Sequence, residues 1–188
     1  MRCPKEETEL TAGQMIPGLP TQDCPDCGGA WIAATDYKRW QAERTNPDAV
    51  PAPKVLPSSL ETDFQPAPLD GRAGLCPECG YYLVRARINL SKVPFYVERC
   101  RSCEGIWCDR GEWPILEQLG IDTHIGSIFL PERQAQLRRL ETAARERQAT
   151  VEKLGPEIAN RIFELAALLE AHPQGDFGVA YLMRHLQK

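Results

Sequence analysis

The sequence has no run of roughly 18–20 uncharged apolar residues, the length that a helix needs to span a bilayer. Its first residues, Met1-Arg2-Cys3-Pro4-Lys5-Glu6-Glu7, lack the apolar core of an export signal. The expectation is a soluble, cytoplasmic protein without membrane insertion. Positive charge is not in excess: Lys+Arg 22 against Asp+Glu 26 leave a net charge of −4. That balance argues against wholesale coating of nucleic acid, which works by releasing counterions from phosphates. Histidine is scarce, and His124, His172 and His185 all lie downstream of the cysteine motifs, where they read as surface residues. No Gly-rich phosphate loop occurs, and no Ser/His/Asp or Cys/His pattern emerges to activate a nucleophile.

Cysteine and proline are abundant: 8 and 16 in 188 residues. Six of the eight cysteines form the C-x-x-C pairs Cys24/Cys27, Cys76/Cys79 and Cys100/Cys103. A disulfide framework belongs to secreted chains, whereas close thiol pairs suit a metal ion pinched from two sides. The pairs also reveal a repeat. Cys24-Pro-Asp-Cys27-Gly-Gly-Ala-Trp31 and Cys100-Arg-Ser-Cys103-Glu-Gly-Ile-Trp107 both read C-x-x-C-x-G-x-W, each followed five residues later by an acid, Asp36 or Glu112. Upstream, Cys3-Pro-Lys-Glu6 aligns with Cys76-Pro-Glu-Cys79, and Leu10 with Leu83.

This places one unit at 1–43 and a second at 75–122, each with a short helix. Between them, 44–74 carries Pro47, Pro51, Pro53, Pro57, Pro66 and Pro68. Prolines remove backbone donors and favour extended chain, so the stretch reads as a linker between two separate modules, with only Val55-Leu56 and Phe64 able to dock. From 123 to 188 the texture is helical, with about three helices divided at Gly155-Pro156 and at His172-Pro-Gln-Gly175, the last capped by Asp176. Leu137, Leu140, Ala144, Val151 and Leu154 form a thin apolar stripe, which predicts a tail hairpin or homodimer. The fold class is α+β and metal-stabilised: two small β-hairpin zinc-ribbon modules, a Pro-rich linker and a helical tail.

In the second copy, Cys76-x-x-Cys79, 20 intervening residues and Cys100-x-x-Cys103 have the four-thiolate zinc-ribbon arrangement. Tyr81–Arg87 and Phe95–Arg99 supply the β-rich arms of a hairpin that returns one pair to the other. Gly80 and Gly28 follow their second cysteines where positive φ is useful, while Glu104 takes that place after Cys103 at some cost in strain. Four thiolates around a divalent ion leave a net −2, which Arg99, Arg101 and Arg110 can offset. The first copy has Cys3, Cys24 and Cys27, with Glu6 in the fourth place. Glu6 is a possible carboxylate ligand, or the position is open, or the copy has lost its metal. One zinc per chain is expected and two are possible. A base-deaminase reading of an open three-cysteine zinc is rejected, because Lys5 is not an acid and Asp23 rather than Pro precedes Cys24. Cys108 aligns with Ile32 and reads as a small buried hydrophobe; the alternatives are that it completes the first site or pairs with another chain. Trp31 and Trp107 read as lids over the metal turns, or else as exposed anchors for a partner.

Cys76-Pro-Glu-Cys79 and Cys100-Arg-Ser-Cys103-Glu-Gly-Ile-Trp107-Cys-Asp109-Arg110-Gly111-Glu112 resemble the transcription-factor zinc-finger family, whose ribbon is similar to that of transcription factor IIB. The family's usual ending is C-x-x-C-x-G-x-W-L-D-R-G-E-L, and its members are mostly small bacterial proteins. The resemblance implies zinc held by Cys76, Cys79, Cys100 and Cys103. The first copy matches at Cys3, Cys24, Cys27, Gly29 and Trp31 but lacks the D-R-G-E segment. Asp109-x-x-Glu112 has capping-box spacing for a short helix through Leu119, beginning late enough to place Pro114 in its first turn.

The leading functional expectation is a non-enzymatic zinc-binding protein whose ribbons scaffold protein–protein interaction, with an unidentified protein partner. A nucleic-acid or transcription role is the alternative. In the second copy Arg85, Arg87, Lys92, Arg99, Arg101 and Arg110 outnumber Glu78, Glu98, Glu104, Asp109 and Glu112 by one, and Tyr81, Tyr82, Phe95 and Tyr96 could stack bases. A thiol-redox or metal-transfer protein is the third class. Iron is also conceivable, because C-P-x-C-G is a rubredoxin-like turn.

Overall fold

A computed structural model describes residues 1–44, 64–89 and 94–186, which divide into two compact units, Met1–Glu141 and Thr142–Lys188. The first unit is α+β. Its strands are β1 (Thr11–Ile16), β2 (Leu19–Asp23), β3 (Ala30–Ile32), β4 (Leu83–Ile88), β5 (Phe95–Cys100) and β6 (Ile106–Cys108). They form one antiparallel sheet in the order β1-β2-β3-β6-β5-β4. Helix α1 (Ala34–Arg44) follows β3, and α2 (Glu112–Gln118) follows β6.

The expected pair of separate modules is corrected by this sheet. Each copy ends in a short strand with a free edge, and an unpaired edge is a template for pairing. Here β3 and β6 close one another, with Trp31 opposite Trp107, Ala30 opposite Cys108 and Ile32 opposite Ile106, and all six of these residues are buried. Beyond the sheet, Trp40 of α1 meets Trp113 of α2 edge-on at 5.3 Å between ring centroids. The Tyr37 hydroxyl donates to the Asp122 carbonyl at 2.6 Å and accepts from the Ile125 N–H at 3.0 Å. The two copies therefore share one core.

The expected linker is only partly described, since Val55 and Leu56 lie outside the described residues. Residues 64–74 pack rather than dangle. Phe64 meets Phe95 edge-on at 5.2 Å, Asp70 is buried, and a Cβ on Gly74 would strike Pro4. The start of the expected tail is corrected too. A 3₁₀ segment (Asp122–Phe129) and the first part of α3 (Pro131–Leu154) bury Ile125, Ile128 and Leu137 in the first unit. There Glu141 also pairs with Arg87 at 3.0 Å. Of the expected apolar stripe, Leu137 is buried and Leu140 half-buried, but Ala144 is exposed.

Helix α2 begins at Glu112, so Pro114 falls in its first turn. Half of a capping box forms, with the Asp109 N–H donating to Glu112 Oε2 at 2.8 Å. The Asp109 side chain instead accepts from Trp107 Nε1 at 2.8 Å, and Gly111, at φ 87°, takes the cap position.

In the second unit, α4 (Pro156–Ala171) and α5 (Gly175–Leu186) make a hairpin. Gly155, at φ 77°, separates α3 from α4. Asp176 lies inside the first turn of α5 rather than capping it; a side chain on Gly175 would run into the Leu169 carbonyl. Among the described residues of this unit only Ala159 and Gly175 are buried, while Leu165, Leu168, Phe177, Val179, Met183 and Leu186 are exposed.

Candidate metal centres

Four tight turns carry the cysteines, and all four have the same backbone. In each, the fifth residue donates its N–H back to the carbonyl of the first: Glu7 to Cys3 (3.1 Å), Gly28 to Cys24 (3.0 Å), Gly80 to Cys76 (2.9 Å) and Glu104 to Cys100 (3.1 Å). That fifth residue has positive φ every time, 63°, 70°, 74° and 64° in the same order. Glycine adopts such angles freely, whereas Glu7 and Glu104 adopt them under strain. The turn at Cys3 therefore keeps the backbone of the other three although Glu6 stands where its partner turn has a cysteine.

The turns bring the sulfurs together as two groups. The Sγ atoms of Cys76, Cys79, Cys100 and Cys103 all lie within 4.8 Å of one another, as do those of Cys3, Cys24 and Cys27. Within them, Cys79–Cys100 stand 3.4 Å apart, Cys76–Cys103 3.5 Å and Cys3–Cys27 3.6 Å. With Zn–S near 2.3 Å, tetrahedral thiolates stand about 3.8 Å apart. The donor sets therefore fit thiophilic metal ions, four-coordinate in the second copy and with three protein sulfurs in the first. Backbone N–H groups already point at the sulfurs: Lys5 at 3.3 Å and Glu6 at 3.4 Å to Cys3, Gly29 at 3.4 Å to Cys27, and Ser102 at 3.4 Å to Cys100.

Burial pushes the Cys76 thiol up to about 11 and raises Cys3, Cys27 and Cys103 as well. The Tyr81 N–H draws the exposed Cys79 thiol down to about 7. At Cys24 burial opposes ionisation, but the N–H groups of Cys27 and Asp26 prevail and lower the thiol. Because a metal ligand must be the thiolate, loading these sites releases protons.

Glu6 is exposed and does not join the three sulfurs of the first copy. Cys108 is buried in the apolar core, outside both sulfur groups, and burial holds its thiol well above the ordinary range. None of the three histidines belongs to a donor group among the described residues. The arginines expected to offset the second centre are dispersed. Arg99 pairs with Glu104 at 2.8 Å, Arg101 is exposed, and the Arg110 side chain lies on Gly28 of the first copy.

The two tryptophans pack with the cysteines of both copies in one cluster, crosswise. A Cβ on Gly105 would lie 2.1 Å from the Trp31 ring, and one on Gly29 would lie 2.3 Å from Trp107. Each lid thus covers the other copy's turn. The Trp107 N–H has Asp109 as acceptor, whereas the buried Trp31 N–H has no partner among the described residues, and Ala33 stands at the matching place.

A buried charged group was not legible in the sequence. Lys5, reaching out from the first metal turn, places Nζ 2.5 Å from Glu98 Oε1 and 3.5 Å from Asp109 Oδ2, and donates to the Arg72 carbonyl at 2.7 Å. Behind it, carboxylate oxygens of Asp70, Asp109 and Glu112 lie within 4.8 Å of one another, all three residues buried. Burial lifts Glu98 to about 8, raises Asp70, and lifts Glu112 well above the carboxylate range. The only hint in the sequence is that Lys5 occupies the place of Glu78 in the repeat, a change of sign between copies.

No helix among the described residues is long and apolar enough to cross a membrane. In comparisons with known proteins, no family model, no curated protein and no solved structure matches this chain.

Proposed function

We propose that the chain is a non-enzymatic zinc protein in which two zinc ribbons, fused through their edge strands, form a rigid scaffold for protein–protein interaction. The observation that carries this reading is the closed set of four sulfurs at Cys76, Cys79, Cys100 and Cys103. A thiolate cage with no open position holds a structure together rather than turning over a substrate. Cys3, Cys24 and Cys27 would hold a second zinc. The motif resemblance to the transcription-factor zinc-finger family supports the ribbon reading. Chelation of the purified chain, followed by circular dichroism, tests it.

The α4–α5 hairpin supplies the docking surface. Its groove of about 660 Å³ is lined by Ile162, Leu165, Leu169, Val179, Leu182 and Met183. A unit with so little buried surface gains a core by pairing with a second copy into a four-helix bundle. A nucleic-acid role has one observation in its favour, the exposure of Tyr81 and Tyr82 beside the second metal turn. Against it, Arg85 caps the Gly71 carbonyl, Arg87 pairs with Glu141, and Phe95 is buried. A gel shift at low and moderate salt separates the two readings. Thiol titration with and without chelator separates both from a redox role.

A further inference from the structure

The geometry points to the Cys3–Cys24–Cys27 cluster as a metal centre with an exchangeable fourth position, which takes a small-molecule thiol from solution. This rests on the reading of that cluster as a metal site and goes beyond it.

The first turn keeps the backbone of its partner turn: Glu7 N–H donates to the Cys3 carbonyl at 3.1 Å, as Gly80 does to Cys76 at 2.9 Å, and both fifth residues have positive φ. Glu6 therefore occupies the same place in its turn as Cys79 does in the other. Cys79 is the exposed member of the closed set, and Glu6 is exposed too, so the fourth corner of the first centre faces solvent. The Glu6 carboxylate does not fill that corner, and Glu6 meets the cluster through its backbone N–H to Cys3 Sγ at 3.4 Å. The three sulfurs are not a degraded remnant. Lys5, Glu6, Cys27 and Gly29 all aim N–H groups at them within 3.5 Å.

Three thiolates make a divalent ion soft, and a soft centre prefers sulfur to oxygen at its remaining position. Three thiolates and a divalent ion carry −1, and the aliphatic stem of Arg110 lies across Gly28, the residue after Cys27. A fourth thiolate from solution then gives the same −2 complex as the closed site. The exchange balances without any change of oxidation state: the incoming thiol gives up its proton to solvent, its sulfur would take the fourth position, and the water that completed the coordination leaves to solvent.

The test uses the full chain loaded with cobalt, whose sulfur charge-transfer absorption counts Co–S bonds. Titration of the two-cobalt chain with 2-mercaptoethanol should raise that absorption by about one-seventh, as seven thiolates become eight. Glu6→Cys, a change at an exposed position, should show the higher absorption from the start and no response to thiol. Two bound cobalts with no response to thiol overturn the inference, and so does a cobalt spectrum altered by Glu6→Gln, which would mark a carboxylate ligand. Binding of only one cobalt per chain overturns the metal reading of the first cluster itself, and that outcome is visible before any thiol is added.

Discussion

The indole of Trp107 occupies the space that a side chain at Gly29 would fill, and Trp31 does the same at Gly105. The glycine of C-x-x-C-x-G-x-W thus serves the other copy's tryptophan rather than its own. Gly29→Ala and Gly105→Ala should each destabilise the metal-loaded chain by about 1–3 kcal/mol, the usual cost of overpacking. Urea unfolding measures this, and wild-type midpoints in both variants would contradict the crosswise clasp.

Lys5 ties the first metal turn to carboxylates of the second copy. Lys5→Met leaves Glu98 and Asp109 buried without their cation, a loss of about 3–5 kcal/mol. Adding Glu98→Gln removes a carboxyl that burial already holds up at about 8 and that loses its ion-pair partner with Lys5, and should recover part of that loss. A double-mutant cycle checks both, and additive effects of the two substitutions would show that the pair does not interact.

Glu112 has its carboxyl raised by burial and by the neighbouring Asp109. A raised folded pKa means that the native state keeps its proton where the unfolded chain has already lost it. Stability from this group is therefore full below the ordinary carboxylate range, near 4.3, and falls as pH rises towards the folded value, by at most about 1.4 kcal/mol per pH unit. Glu112→Gln, which mimics the protonated form and can still accept from the Asp109 N–H, should flatten this slope. The comparison is made between wild type and variant in fully metal-loaded protein, because thiolate ligation has the opposite pH dependence. Parallel stability–pH curves would contradict the assignment.

Leu165→Glu and Met183→Glu place charge in the α4–α5 groove. If the groove pairs two copies, both variants should shift the mass seen by light scattering from two chains to one without unfolding the β-sheet unit. A wild-type mass of one chain at high concentration would contradict the pairing.

The sequence carries the cysteine pairing, the repeat, the helices and the positions of the tight turns, because those features are local and need specific residues at fixed spacing. The union of the two copies was not legible. It depends on β3 and β6, three residues each, whose apolar character suits a sheet centre as well as an edge. The docking of 64–74 was hidden for a related reason. Proline-rich composition describes the chain's stiffness, whereas the docking depends on Phe64 and Asp70, single residues that composition averages away. Lys5 was hidden because a lysine between two metal-ligand positions reads as exposed until its carboxylate partners, more than 90 residues away, are folded around it. Glu6 misled in the other direction: a carboxylate at a ligand position is chemically plausible, yet the side chain turns to solvent.

On the function proposed above, thiolate-held divalent ions build the six-stranded unit. Metal analysis of the freshly purified chain, with circular dichroism and tryptophan fluorescence before and after EDTA, tests it most directly. Two zinc ions per chain are expected, with loss of β structure and exposure of Trp31 and Trp107 on chelation. A metal-free chain, or spectra unchanged after EDTA, would contradict it.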